Sequence, residues 1–205
     1  MLIGIIPAVD VIRFIADPVV ITTRLFTALL MNIEVSMFKK VIIAIVVLIL
    51  VLLVVGYLLP RSYSVSRSNF IEASADKIYA SVIDLKSWPE WTPWNEEMDP
   101  TIQYTYSGSG VGSVSRWTSD NIGVGYLEVT SAEEGHGIVY ELHFEGSAPA
   151  DGVVQITQMK GGCEVMWKMS GEGVPPIEPY FILMIDWMMG KDFEQCLAGL
   201  KERSL

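Results

Sequence analysis

The sequence predicts an α+β protein in which one antiparallel sheet is covered by a long carboxy-terminal helix and preceded by a single membrane-spanning helix. Three observations carry this reading. Val41 to Leu59 is an apolar run with no charged residue. From Thr101 to Ser170 the chain alternates apolar and polar residues with period two, broken by turn signals. From Pro179 to Glu202 the apolar positions recur instead at the three-to-four-residue spacing of a helix face.

At about 1.5 Å per residue, Val41 to Leu59 spans roughly 28 Å, close to the hydrocarbon thickness of a bilayer. A helix in the core of a water-soluble protein would keep a polar stripe, and this run has none. The run is longer than the apolar region of a cleaved signal, and no small-residue cleavage site follows it, so it is expected to stay attached. Lys39 and Lys40 precede it and Arg61 and Arg67 follow it, a small positive-inside bias that places the folded domain outside the cytoplasmic membrane. Residues 1–36 are apolar but broken by Pro7, Asp10, Arg13, Asp17, Pro18 and Arg24, leaving no window long enough for a second span. Met37-Phe38-Lys39-Lys40 has the form of a true amino terminus, so residues 1–36 are read as an upstream extension with the natural start at Met37. The expected organisation is therefore 1–36 as extension, 37–60 as membrane anchor and 61–205 as one folded domain.

Charge narrows the ligand classes. The 10 Lys and Arg and 21 Asp and Glu after Pro60 leave the folded part at −11. Such a domain repels phosphate backbones and anionic headgroups, so neither nucleic acid nor tight adsorption to lipid headgroups is expected, and a ligand should be neutral or apolar. Cys163 and Cys196 form no C-x-x-C motif and have no neighbouring histidine, so neither a metal site nor a thioredoxin-like site is supported; no cofactor is expected. They read as two buried thiols, with a disulfide as the alternative for a domain outside the cytoplasm.

The elements follow in order. Ser64 to Ile71 reads as a strand. Ser74 then caps a helix carrying Ile78, Val82 and Leu85 on one face, which ends at Trp88-Pro89. The Trp88-Pro89-Glu90-Trp91-Thr92-Pro93-Trp94 stretch makes a turn whose tryptophans wedge against the core. Strands are expected over 101–107, 111–119, 124–131, 138–145, 153–159 and 163–170, forming an antiparallel meander with one apolar face. The last helix covers that face with Ile182, Ile185, Met189, Phe193, Cys196 and Leu200. Gly190 and Gly199 interrupt it at about 1 kcal/mol each relative to Ala, and Gly190 permits close approach of the sheet or of a ligand.

Asp84-Leu85-Lys86-Ser87-Trp88 with Trp91-Thr92-Pro93-Trp94, and Gly190-Lys191-Asp192-Phe193 with Leu197 to Lys201, resemble the polyketide cyclase/dehydrase-like branch of the START/Bet v 1 (SRPBCC) superfamily. The resemblance covers residues 62–203. It implies a helix-grip fold, a curved antiparallel sheet wrapped around the last helix, with an apolar cavity for a lipid or small hydrophobic molecule.

That cavity would be lined by Tyr104, Tyr106, Trp117, Tyr140, Leu142, Phe144, Trp167 and Met169 from the sheet and Met184, Met188 and Met189 from the helix. Aromatic walls with a few polar tips suit apolar ligands, and methionines adapt to irregular ones. His143 lies between Glu141 and Glu145 on the polar face of its strand, His136 lies in a turn, and the glycines of 108–112 connect two strands rather than open a phosphate-binding helix. The leading expectation is a single-pass, membrane-anchored, non-catalytic module that binds an apolar small molecule or lipid. The alternatives are a cyclase/dehydrase-like enzyme using Tyr140 or Arg116 in the same cavity, and a protein-interaction module whose groove receives a partner's apolar segment.

Overall fold

The computed structural model describes residues 37–205, so the upstream extension, residues 1–36, lies outside the described residues. Helix α1, Met37–Leu58, carries aliphatic side chains exposed on all sides. Among the described residues it is the one helix long and apolar enough to cross a membrane, by length and composition.

The remainder folds around a seven-stranded antiparallel sheet. Its strands are β1 (Ser62–Ile71), β2 (Gln103–Ser107), β3 (Val114–Ser119), β4 (Gly123–Glu133), β5 (Gly137–Phe144), β6 (Ala150–Met159) and β7 (Gly162–Glu172). The spatial order is β1-β7-β6-β5-β4-β3-β2. Strands β2 to β7 form the expected meander, and β1 closes on β7 with Ser62 opposite Glu172 and Ile71 opposite Cys163. Strand β3 starts at Val114 rather than Val111, because Gly110 and Gly112 take φ of +66° and +81° in the preceding turn, a conformation that glycine adopts without steric cost. The register between β4 and β5 shifts between Val129 and Ser131, a bulge that adds bend to the sheet.

Between β1 and β2 the chain forms helix α2, Ala75–Ile83, whose first turn is capped by the Ser74 side chain accepting from Lys77 N–H at 3.4 Å. The expected continuous helix to Trp88 is two pieces. Asp84 leaves the helical conformation and its carboxylate accepts from Lys86 N–H at 3.2 Å, starting a 3₁₀ turn over Leu85–Glu90. Leu85 thus reaches the core from that turn. Trp88 donates its indole N–H to Val82 O at 2.9 Å, which ties the turn back to α2.

Helix α3, Glu178–Ser204, begins with Pro179 in its first turn, where a missing N–H costs nothing. Its carboxy-terminal half carries the fully buried Phe193, Cys196, Leu197 and Leu200 into the core formed by Ile78, Val82, Val129, Val154, Ile156 and Val165. Gly190 marks the halfway point. A Cβ there would fall 2.0 Å from Arg67 Nη2, so the glycine makes room for an arginine of β1 and not for a ligand. Arg67 in turn pairs with Asp186 and Glu194, both at 3.0 Å, and pins α3 across the first strand.

Cys163 and Cys196 are both buried free thiols, so the disulfide alternative does not hold in this structure. Burial pushes the Cys196 thiol well up, and the nearby Asp192 carboxylate adds to the rise.

Candidate functional site

The carboxy-terminal half of α3 fills the core, whereas its amino-terminal half roofs a cavity of about 580 Å³ over the concave face of the sheet. Seven of the expected residues line it: Tyr104, Trp117, Tyr140, Leu142, Phe144 and Met169 from the sheet and Met189 from the helix. Period-two alternation puts these sheet residues on one face, and the bend gathers that face into a concave wall.

Two glycines shape the wall. Gly152 on β6 lies opposite Tyr140 on β5, and a Cβ there would meet the Tyr140 ring at 1.9 Å. Gly125 on β4 has the same relation to Trp117, whose ring a Cβ would meet at 2.3 Å. Each glycine lets a large ring lie across its neighbouring strand, leaving volume above it.

Four expected residues are elsewhere. Trp167 is fully buried in the core, enclosed by Trp88, Trp91 and Phe193 with ring centroids at 5.2, 5.8 and 5.5 Å. Tyr106 lies on the edge strand and stacks on Tyr104 at 5.9 Å, outside the cavity wall. Met184 and Met188 point away from the sheet and are exposed, because they sit on the opposite side of α3 from Ile182, Ile185 and Met189. A hydrophobic side chain on a helix identifies no face by itself, and three methionines close together in sequence straddle two.

The wall also contains residues that alternation did not single out. Trp88 and Trp94 reach it from the turn after α2, and Ile182, Ile185 and Phe193 from α3. The Trp-Pro stretch was legible as a wedge, but that it borders a void depends on how far the sheet bends.

The polar lining is sparse. Tyr104 donates its hydroxyl to Trp94 O at 3.0 Å, and burial raises its pKa above the ordinary tyrosine value. Tyr140 accepts the Trp167 indole N–H at 2.8 Å and is likewise shifted up by burial. Tyr63, Glu172 and Glu178 also line the wall, and the Tyr63 hydroxyl is shifted up by burial and by the Glu178 charge. Both tyrosines with strongly raised values stay neutral across the physiological range, so each presents an intact hydroxyl for hydrogen bonding.

Among the described residues, no histidine, lysine or arginine lines this cavity. Arg116, considered above as a catalytic group, is on the outer face of the sheet with its guanidinium 4.8 Å from the Tyr126 ring centre. His143 shares that face, stacked on Tyr126 at 4.4 Å and paired with Glu141 at 3.1 Å. His136 lies in the β4–β5 turn. Among the described residues no group of three or more His, Cys, Asp or Glu is placed to hold a metal ion.

Comparison with curated protein sequences gives no match. Among solved structures the chain is similar to the di-domain ARO/CYC StfQ from the steffimycin biosynthetic pathway, with TM-score 0.58, 12% identity, and coverage of 70% of this chain and 51% of that one. It is also similar to protein SA2116 of unknown function from Staphylococcus aureus, with TM-score 0.55, 9% identity and coverage of 70% and 94%. Protein CV1439 from Chromobacterium violaceum aligns with TM-score 0.52, 13% identity and coverage of 69% and 97%. At these identities the likeness is one of fold. The sequence profile described as "Polyketide cyclase / dehydrase and lipid transport" matches residues 62–204. With that match over the whole sheet and its gripping helix, the chain belongs to the polyketide cyclase/dehydrase and lipid transport family, in its helix-grip fold.

Proposed function

We propose that this chain is a membrane-anchored module that holds a hydrophobic small molecule or a lipid in the cavity under α3, without catalysis. The observation that carries the reading is the cavity itself. Its volume of about 580 Å³ falls within the range of small-molecule sites, and its wall is apolar apart from a few hydroxyls and two carboxylates. Such a wall gains free energy by removing apolar ligand surface from water, at about 25 cal/mol per Å². Tyr63, Tyr104 and Tyr140 orient a polar end. Helix α1 is the anchor, the folded domain faces outward from the cytoplasmic membrane, and tethering keeps the cavity near a supply of lipid at high effective concentration.

A cyclase or dehydrase reading draws on the Tyr140 hydroxyl in the same cavity. That hydroxyl is engaged by the Trp167 indole N–H, and desolvation opposes its ionisation.

The test is native mass spectrometry with lipid extraction of the full chain. The expected result is a bound apolar species in the wild type that is lost in Leu142→Trp, a substitution that fills the cavity, while circular dichroism stays unchanged. Equal loading of both forms would place any bound lipid on α1 and refute the cavity as the binding site.

A further inference from the structure

Helix α3 and its N-cap residue Ile177 present one outward stripe whose chemistry changes halfway along. Ile177, Phe181, Met184 and Met188 follow one another at helical spacing, and all are half or more exposed, at 63%, 62%, 52% and 50%. The stripe then continues as Lys191, Gln195, Ala198 and Glu202. Trp187, 63% exposed, widens the apolar part. A helix facing water would keep this stripe polar throughout, as its second half does. Contiguous exposed apolar surface of this kind marks a contact site.

The chain path supplies the partner. Leu58 ends the apolar helix α1 and Ser62 begins β1. Arg61 O accepts the Gly173 N–H at 2.7 Å. Three residues span at most about 10 Å of extended chain. With the hydrogen-bonded step added, Gly173 lies within about 15 Å of the end of the span, and the apolar stretch begins at the next residue, Val174, itself 53% exposed. With α1 in a bilayer, the exposed half of α3 starts beside the same bilayer's surface. Lys191 lies over the Trp187 ring at 4.8 Å, an amphipathic pair suited to the headgroup boundary where the apolar stripe ends.

We propose that the amino-terminal half of α3 docks into the surface of the bilayer that holds α1. Phe181 belongs both to this exposed stripe and to the cavity wall, so the docked face continues into the cavity and a lipid can pass between them without crossing water. The contact is made by apolar burial and not by headgroup charge, since the folded part is strongly acidic. Zwitterionic lipid is therefore sufficient. The inference rests on the anchor reading of α1.

The test uses the full chain in phosphatidylcholine vesicles, with a spin label at one introduced cysteine at a time. The two native thiols are buried, so the label reports the introduced site. At Met184→Cys, relaxation enhancement by oxygen should exceed that by a water-soluble nickel chelate, and at Gln195→Cys the order should reverse. A Met184→Cys label as accessible to nickel as the Gln195→Cys label overturns the proposal. Shielding from both reagents, with dipolar coupling between labels on two molecules, also overturns it by assigning the face to a second copy. A label at Val46→Cys separates the two levels. Oxygen-accessible Val46→Cys with water-exposed Met184→Cys refutes docking alone, whereas nickel-accessible Val46→Cys refutes the anchor and docking together.

Discussion

The Trp167 indole N–H donates to the Tyr140 hydroxyl oxygen at 2.8 Å, joining the solid core to the wall of the cavity. Trp167 is fully buried, and Tyr140 is 3% exposed. Replacing Tyr140 by Phe keeps the ring over Gly152 and leaves the indole N–H without a partner. An unsatisfied buried donor costs about 1–3 kcal/mol. Tyr140→Phe should lower unfolding stability by that amount in urea titration, and Trp167→Phe combined with it should cost less than the sum of the two single changes. Additive costs would mean that the bond contributes nothing.

Gly199 sets local propensity against tertiary packing. Propensity alone predicts that Gly199→Ala stabilises α3 by about 1 kcal/mol. A Cβ at this position would lie 2.1 Å from the backbone oxygen of Trp91, a contact that only backbone movement relieves. Overpacking against backbone costs about 1–3 kcal/mol. The expected outcome is a lower urea midpoint for Gly199→Ala, and a higher one would show that α3 shifts freely over the Trp-Pro turn.

Asp99 gives the fold an acid-sensitive point. Its carboxylate accepts from the Ser119 hydroxyl, from the Thr101 hydroxyl at 2.7 Å and N–H at 2.9 Å, and from the Asn121 amide at 2.9 Å. These bonds, that of Ser119 foremost, lower its pKa from 3.8 to about 2. A depressed carboxylate stabilises the fold above its unfolded-state value, and that contribution is lost as pH falls from near 4 through about 2. Asp99→Asn should be less stable than the wild type at pH 6, and the gap should narrow towards pH 2. Unfolding curves across that range check it, and a constant gap would remove Asp99 as the titrating group.

The two cysteines should be chemically silent in the folded protein. Cys163 and Cys196 are fully buried, and desolvation raises both thiol pKa values. Reaction rates follow the thiolate fraction and access. An aromatic disulfide reagent should therefore titrate essentially no thiol in the native state and two per chain in denaturant. Titration of one or none after unfolding would reveal modification or a disulfide.

Much of the fold was written in the chain as periodicity. Alternation located the strands of the meander, and the stripe from Ile182 to Leu200 identified the inner face of α3, because a strand with one buried face and a helix with one buried side leave those signals directly. Strand and helix ends were less legible. Leu85 fits the helical spacing of α2 yet follows a break at Asp84, and Val111 belongs to a turn set by glycine backbone angles.

The cavity was legible only in part. Sequence alone determined that aromatic residues from β2 to β7 share a face, since period two requires it. Tertiary structure decided which of them surround a void: Trp167, on the same face as Met169, is packed solid by Trp88, Trp91 and Phe193, while Tyr140 and Trp117 lie over glycines beside open volume. It also decided the direction of the methionines of α3. Hydrophobicity states that a side chain avoids water without stating what replaces the water, and Met189 turned to the cavity while Met184 and Met188 turned outward because only one side of α3 faces the sheet.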